Sequence, residues 1–273
     1  MKNNDIFRVF LGGDVFGPVG MRCVSSLLPG FLASEEIDFC VMNGENASSG
    51  IGLSPEDARA IFAAGADVIT GGNHTFEKRD YWPALDEFPS LLRPANFPDL
   101  TGDLRLPGRG SIAVEKAGCR VAVLNLQGRE DMTAIDCPFR AADSALAAWA
   151  GDKSPVIVLV DFHAESNQEK EALGLYLAGR ATSVTGTHTH VQTADERILP
   201  GGTAYMTDLG MTGPVRSVIG GDPALAVKRN VTQVLYRLEE ASGSGALRGL
   251  VVDVSRETAR AIAVRRVDIP ERG

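Results

Sequence analysis

Apolar, β-prone runs in this chain stop abruptly at short polar clusters, and that alternation is the strongest constraint on its fold. Ile6 to Leu11 ends at Gly12-Gly13-Asp14, and Ile37 to Met42 ends at Asn43-Gly44-Glu45-Asn46. Asp67 to Thr70 runs into Gly71-Gly72-Asn73-His74, Val156 to Val160 into Asp161-Phe162-His163, and Ala181 to Thr185 into Gly186-Thr187-His188-Thr189-His190. Short apolar runs bounded by Gly, Asn and Asp predict buried strands. Helical patterns alternate with them. Val19 to Leu32 has apolar residues at helical spacing, with Pro29 expected to kink or end the helix. Ser54-Pro55-Glu56-Asp57 is a helix start, with Ser as N-cap and Pro at the first helical position; this helix should reach about Ala64, with Gly65 as its C-cap. Strand, helix, strand in sequence implies right-handed crossovers and a largely parallel sheet. Ligands of such sheets gather at the carboxyl ends of the strands, and all four histidines lie there.

The remaining elements are simpler to place. Arg93 to Gly110 reads as loop. Ser111 to Val114 and Cys119 to Leu126 form a hairpin through Lys116-Ala117-Gly118, and Arg197 to Leu199 pairs with Ala204 to Met206 across Gly201-Gly202. Ala141 to Ala150 and Glu169 to Leu177 are helices. Thr232 to Leu238, Leu247 to Val254 and Ala261 to Val267 are expected to be three antiparallel strands, the first turn being Ser242-Gly243-Ser244-Gly245. With no repeat or linker-like segment, residues 1–273 are expected to form a single domain.

The net charge of −8 and pI of about 5.1 argue against strong nucleic-acid or anionic-membrane binding. They remain compatible with a small phosphate ligand, because bound metal inverts the sign of a cleft locally. The N-terminus lacks a signal-peptide pattern, and Val156 to Val160 is too short to span a bilayer. Cys23, Cys40, Cys119 and Cys137 have no CxxC spacing and read as free thiols of a reducing cytosol. A cytoplasmic protein without a membrane partner is expected, and a homo-oligomer is compatible with this composition.

Taken singly, each polar cluster has an ordinary explanation. Glu45-Asn46 could be a solvated turn, Asp14 a turn former, His163 a core histidine, His74 a hydrogen-bonding neighbour and His188-x-His190 a polar loop. Five such strand ends bearing Asp, Glu, Asn and His together favour a two-metal site. A carboxylate such as Glu45 can bridge two cations about 3.5–4 Å apart. N and O donors without thiolate favour Mn, Fe, Zn or Co. Arg93, Asn96, Gln127 and Arg129 have no assigned role.

The motifs resemble those of the metallophosphoesterase (calcineurin-like) superfamily, through Gly72-Asn73-His74 and His188-x-His190. Two positions depart from its pattern: Phe16 stands where a D-x-H histidine is expected, and Glu45 replaces the usual bridging Asp. Those departures, with Asn-Gly-Glu-Asn-Ala, Arg-Pro-Ala-Asn-Phe-Pro, Asp-Phe-His-Ala-Glu and Gly-Thr-His-Thr-His-Val-Gln-Thr-Ala-Asp, are similar to the YmdB-like phosphodiesterases over nearly the whole chain. The resemblance implies an α/β fold, a four-layer αββα sandwich with two mixed β-sheets. It also implies two transition-metal ions, Fe or Mn foremost, and hydrolysis of phosphodiesters including cyclic nucleotides such as 2',3'-cNMP. Asn46 then covers for the missing histidine. Residue chemistry and resemblance together give one ion Asp14, Glu45, Asn46 and His190, and the other Glu45, Asn73, His163 and His188. A metal-bridging hydroxide would attack phosphorus, with His74 as general acid. A phosphomonoesterase or nucleotidase with the same metals is the alternative within enzymes. A regulatory, RNA-associated protein with vestigial turnover is the alternative outside them.

Overall fold

The computed structural model of the chain describes residues 5–98, 101–151, 155–237 and 239–271. Thirteen strands among these residues form two mixed sheets. In the first, β1 (Ile6–Gly12), β3 (Phe39–Asn43) and β4 (Val68–Thr70) run parallel. Two long strands, β12 (Gly245–Ser255) and β13 (Ala261–Pro270), continue it antiparallel from β1. The short β11 (Met211–Pro214) joins β12 to β2 (Asp14–Val15). In the second sheet β6 (Cys119–Gln127), β7 (Val156–His163), β8 (Ser183–Thr187) and β10 (Thr203–Met206) are parallel. The hairpin strands β5 (Ser111–Lys116) and β9 (Arg197–Leu199) close its two edges.

Alternation along each strand sends one set of side chains between the sheets and the other set outward. Phe7, Val9 and Leu11 of β1 meet Val121, Val123, Ile157 and Leu159 of the second sheet in a shared central core. Phe10, Cys40, Met42 and Ile69 face the opposite way, against α1 (Gly17–Ser34), α2 (Pro55–Ala63) and α3 (Trp82–Glu87). Leu124, Val160, Phe162 and Val184 pack on α4 (Pro138–Trp149) and α5 (Asn167–Tyr176). Three cores between four layers make the expected αββα sandwich.

Local signals account for several boundaries. The Ser54 hydroxyl accepts the Asp57 N–H and caps α2, with Pro55 at the first position. The turn between β5 and β6 places Ala117 and Gly118 at φ 48° and 77°, the paired left-handed geometry of a tight hairpin. Of the two outcomes expected at Pro29, an end to the helix is not seen, since α1 continues to Ser34. Pro29 and Ser25, whose carbonyl loses its i+4 donor, are both exposed, so water can satisfy that carbonyl. Residues 233–237 are not strand: α6 (Pro223–Thr232) precedes them, capped by Asp222, and Gln233 ends it in left-handed conformation. Leu238, the end of that expected strand, lies outside the described residues.

Candidate metal centre

The carboxyl ends of β1, β3, β4, β7 and β8 converge on one side of the sandwich, because both sheets run their parallel strands towards it. Asp14, Glu45, Asn46 and His163 are buried there, and Asn73, His188 and His190 are partly exposed. His163 lies at the centre. Its Nε2 is 3.0 Å from Glu45 Oε1, 3.0 Å from Asn73 Oδ1 and 3.0 Å from His188 Nδ1. On the other side of Glu45, Asn46 Nδ2 is 3.1 Å from Glu45 Oε1 and 3.0 Å from His190 Nε2. Asp14 Oδ1 is buried, has no hydrogen-bond partner among the described residues and lies 3.7 Å from His163 Nδ1. All seven residues expected as ligands are therefore brought together.

The three histidines each have a polar contact at the ring nitrogen that faces away from the centre, a hydrogen bond for His163 and His190 and a carboxylate contact for His188. Thr187 donates its hydroxyl to Asp161 Oδ1 at 2.7 Å, so Thr187 Oγ1 is left to accept from His163 Nδ1 at 3.0 Å. His190 Nδ1 donates to the Ile219 carbonyl at 2.9 Å. His188 Nε2 faces Glu165 Oε2 at 3.2 Å. The two hydrogen bonds fix the tautomers of His163 and His190, and Nε2 of His163, Nδ1 of His188 and Nε2 of His190 point inward. Such pinning of the far nitrogen is the usual arrangement of metal-bound histidine. Ligands at about 2.1 Å from an ion in octahedral positions are separated by about 3 Å, which is the spacing around His163. Asn46 would ligate through Oδ1 after exchanging the positions of its amide N and O, which leaves the heavy-atom framework unchanged. The donor set fits divalent cations.

Local sequence explains how these side chains are held. Asn43 Oδ1 accepts the Glu45 N–H at 3.1 Å, and its Nδ2 donates to Asp161 Oδ2 at 3.0 Å, crossing between the sheets. Thr70 also donates to Asp161. Gly72 is required by crowding: a Cβ there would come within 2.2 Å of Glu45 Oε2 and 2.4 Å of the His163 ring. Phe16, at the position of the missing histidine, packs edge-on to His190 with ring centroids 5.4 Å apart. Backbone pairing of Phe16 with Asn46 sets the asparagine beside that ring.

Protonation follows from this crowding. Burial raises Asp14 to about 6. Burial also disfavours the Glu45 carboxylate, but the adjacent His163 cation outweighs it and brings Glu45 to about 2. Burial opposes the His163 cation, yet Glu45 and Asp14 hold it up to about 9, while burial and the His163 charge push His188 down to about 3.

His74 is 30% exposed at its side chain and lines the cleft above the cluster. Its backbone N–H donates to Glu45 Oε2 at 3.0 Å, and its Nδ1 lies 3.8 Å from Glu77 Oε2. The cleft has a volume of about 870 Å³ and is also lined by Phe16, Ile51, Glu165 and Ile219. Sequence reasoning left Asp161, Glu165 and Asp208 without roles. Asp208 follows β10, another apolar run that ends in a polar pair, Thr207-Asp208, and that signal went unused. Asn96, left open from the sequence, fixes its loop by donating to the Gln127 and Asp136 carbonyls, and Arg93 similarly bonds the Pro94 and Pro107 carbonyls.

The family model described as YmdB-like protein matches residues 10–267. The chain belongs to the YmdB-like family. It is 44% identical over 260 residues to a protein of Bacillus subtilis (strain 168) named 2',3'-cyclic-nucleotide 2'-phosphodiesterase, covering 95% of this chain and 96% of that one. A crystal structure described as a novel phosphatase from Mycoplasma pneumoniae superposes with a TM-score of 0.89 at 31% identity, covering 99% of this chain and 95% of the other. A hypothetical protein from Thermus thermophilus superposes with a TM-score of 0.87 at 36% identity, covering 97% and 100%. The YmdB-like resemblance read from the motifs therefore holds across the chain. No helix among the described residues is long and apolar enough to cross a membrane.

Proposed function

We propose that this YmdB-like chain is a dinuclear metal-dependent phosphodiesterase acting on cyclic nucleotides of the 2',3' class. The observation that carries the reading is the convergence of Glu45, Asn73 and His188 on His163 Nε2, each at 3.0 Å, with the far nitrogens of His163 and His190 hydrogen-bonded back to the protein. Asp14, Glu45, Asn46 and His190 would hold one ion, and Glu45, Asn73, His163 and His188 the other. Bound divalent ions supply Lewis acidity towards phosphate oxygens and a nucleophile at neutral pH. Donors of N and O type suit Mn, Fe, Zn or Co, and the family resemblance puts Fe or Mn foremost.

The chain's own residues do the rest. Phe16, Ile51 and Ile219 give the cleft apolar walls suited to the sugar and base of a nucleotide. His74 sits in that wall beside the Glu45 carboxylate, with Nδ1 turned towards Glu77, so Nε2 is the atom that would give a proton to the departing hydroxyl. Both sheets contribute ligands, which supports reading residues 1–273 as a single domain. All four cysteines are free, which suits a cytoplasmic setting.

A second reading, phosphomonoesterase activity at the same site, is favoured by the description of the Mycoplasma pneumoniae relative as a phosphatase. Metal analysis combined with hydrolysis of 2',3'-cyclic nucleotides and of nucleoside monophosphates tests both. Turnover of the cyclic diester well above the monoester supports the proposal, and the reverse ratio selects the second reading. A preparation with two ions and no turnover of either overturns both.

A further inference from the structure

Lys170 of α5 and Asp208, just beyond β10, form a buried ion pair, Nζ to Oδ2 2.7 Å, with side chains 1% and 0% exposed. Removing two charges from water is costly, and an ion pair in such a place adds little net stability over apolar packing. The Lys170 stem reaches Asp208 by crossing Gly186 of β8, where a Cβ would come within 2.8 Å of Lys170 Cδ. Neither residue lines the cleft.

The remaining bonds of Asp208 lead directly to the centre. Oδ2 also accepts the Thr189 N–H at 3.1 Å and the Thr189 hydroxyl at 2.8 Å, and Oδ1 accepts the Gly210 N–H at 2.8 Å. Thr189 lies between His188 and His190, whose φ angles are 101° and 64°. Two left-handed residues flanking one threonine make a turn that L-amino acids resist. The Gly210 carbonyl accepts the Asp14 N–H at 3.1 Å, and Asp14 Oδ2 accepts the His188 N–H at 3.1 Å. One carboxylate thus ties together the backbones that carry Asp14, His188 and His190.

We infer that Lys170 and Asp208 are positioning residues, which clamp Thr189 and so hold the strained His188-Thr189-His190 turn with its imidazoles aimed at the ions. Lys170 Nζ donates to the same oxygen as Thr189, so one buried carboxylate gathers four donors, from Lys170, Thr189 twice and Gly210. The inference rests on the dinuclear reading. It assigns Asp208 to the approach of the ligands and not to their identity.

The test is calorimetric titration with Mn²⁺ of wild type, Thr189→Val, Thr189→Ser and the double variant Lys170→Met/Asp208→Asn, with thermal melting of each protein before titration. Thr189→Val keeps the shape and removes the hydroxyl bond, whereas Thr189→Ser keeps that bond. We expect Thr189→Val to weaken Mn²⁺ binding by about 10–100-fold, with its melting temperature close to wild type and with Thr189→Ser restoring the affinity. The double variant removes both buried charges together and should lose affinity at least as severely; if it does not fold, Thr189→Val decides. Two-site binding in wild type that Thr189→Val leaves unchanged overturns the clamp alone. Equal weakening in Thr189→Ser and Thr189→Val also overturns it, because the hydroxyl would then not matter. A wild type that binds no Mn²⁺ overturns the dinuclear reading, and the clamp with it.

Discussion

Nδ1 of His188 lies 3.0 Å from Nε2 of His163. Two imidazole lone pairs cannot face each other at that distance without a positive charge between them. A proton can supply it: the Glu45 carboxylate holds His163 protonated up to about 9 against the effect of burial, while His188 is pushed down to about 3 by burial and by its charged neighbour. A divalent cation can supply it too, and would satisfy Asn73 Oδ1 and Glu45 Oε1, which face the same point. That choice between one proton and one ion links the electrostatics of the cluster to its proposed function.

Glu45 is the carboxylate common to both halves of the cluster, next to His163 on one side and Asn46 on the other. Glu45→Gln removes its negative charge with almost no change of volume. Both ions should bind more weakly, each by at least about tenfold, and diester hydrolysis should fall with them. Metal content after gel filtration is the measurement. A variant that retains two ions per chain and a wild-type rate removes Glu45 from the centre.

The crowding at Gly72 gives a second expectation. An alanine Cβ would press on Glu45 Oε2 at 2.2 Å and on the His163 ring at 2.4 Å, so the loop or the two side chains must shift. A displacement near 1 Å in a catalytic group costs on the order of 10²-fold in rate. Gly72→Ala should therefore lose about that much kcat while its far-ultraviolet circular dichroism stays native. An active Gly72→Ala would mean that the loop relaxes without disturbing Glu45.

Much of this cluster was legible because polar groups gathered at strand ends leave a composition signal: an apolar run, then Gly, Asn, Asp or His. Asn43, Asn73, His163 and His188 all carry it. The clamp did not stand out because Asp208 and Lys170 are ordinary residues whose meaning lies in a contact across 38 positions. Elements too short for periodicity were also missed, such as β2 and β11, which are specified by pairing with each other and not by their own pattern. The α6 helix was hidden for another reason. Its start signal, Asp222-Pro223, is present, but Val227 and Val231 are exposed on it, so the apolar residues do not mark a core face, and the Val, Leu and Tyr that follow mimic a strand.

Away from the centre, Glu271 anchors the last described residues to α1. Both its oxygens accept from Arg22 at 2.8 Å, and Oε2 also accepts the Gly245 N–H at 2.7 Å. The Arg22 guanidinium, and then the Gly245 N–H, hold its carboxyl at about 2, below the ordinary 4.5. In this window the unfolded chain binds more protons than the folded one, so stability rises with pH. The contribution is full above about pH 4.5 and is lost as pH falls towards 2. A screened surface pair is worth up to about 1 kcal/mol, or roughly 2–4 °C in a chain of this size. Glu271→Gln should lower Tm by about that much at pH 7, and the difference from wild type should shrink between pH 4.5 and 3. A constant difference across that range would show that the residue acts through packing.

His74 offers the sharpest separation of chemistry from metal binding. Its backbone N–H holds Glu45 Oε2, whereas its ring lies in the cleft wall. His74→Ala keeps the backbone bond, so both ions should stay bound. The departing ribose hydroxyl of a cyclic nucleotide is a poor leaving group that needs a proton, and loss of general acid catalysis costs about 10²–10⁴-fold. An aryl ester such as a nitrophenyl phosphodiester departs readily without one, so its rate should fall far less. Loss of metal would slow both substrates alike. The ratio of the two defects, measured on protein of verified metal content, is therefore the decisive quantity. A ratio near one with both ions present would make His74 a group that positions phosphate, leaving the proton to come from elsewhere in the cleft.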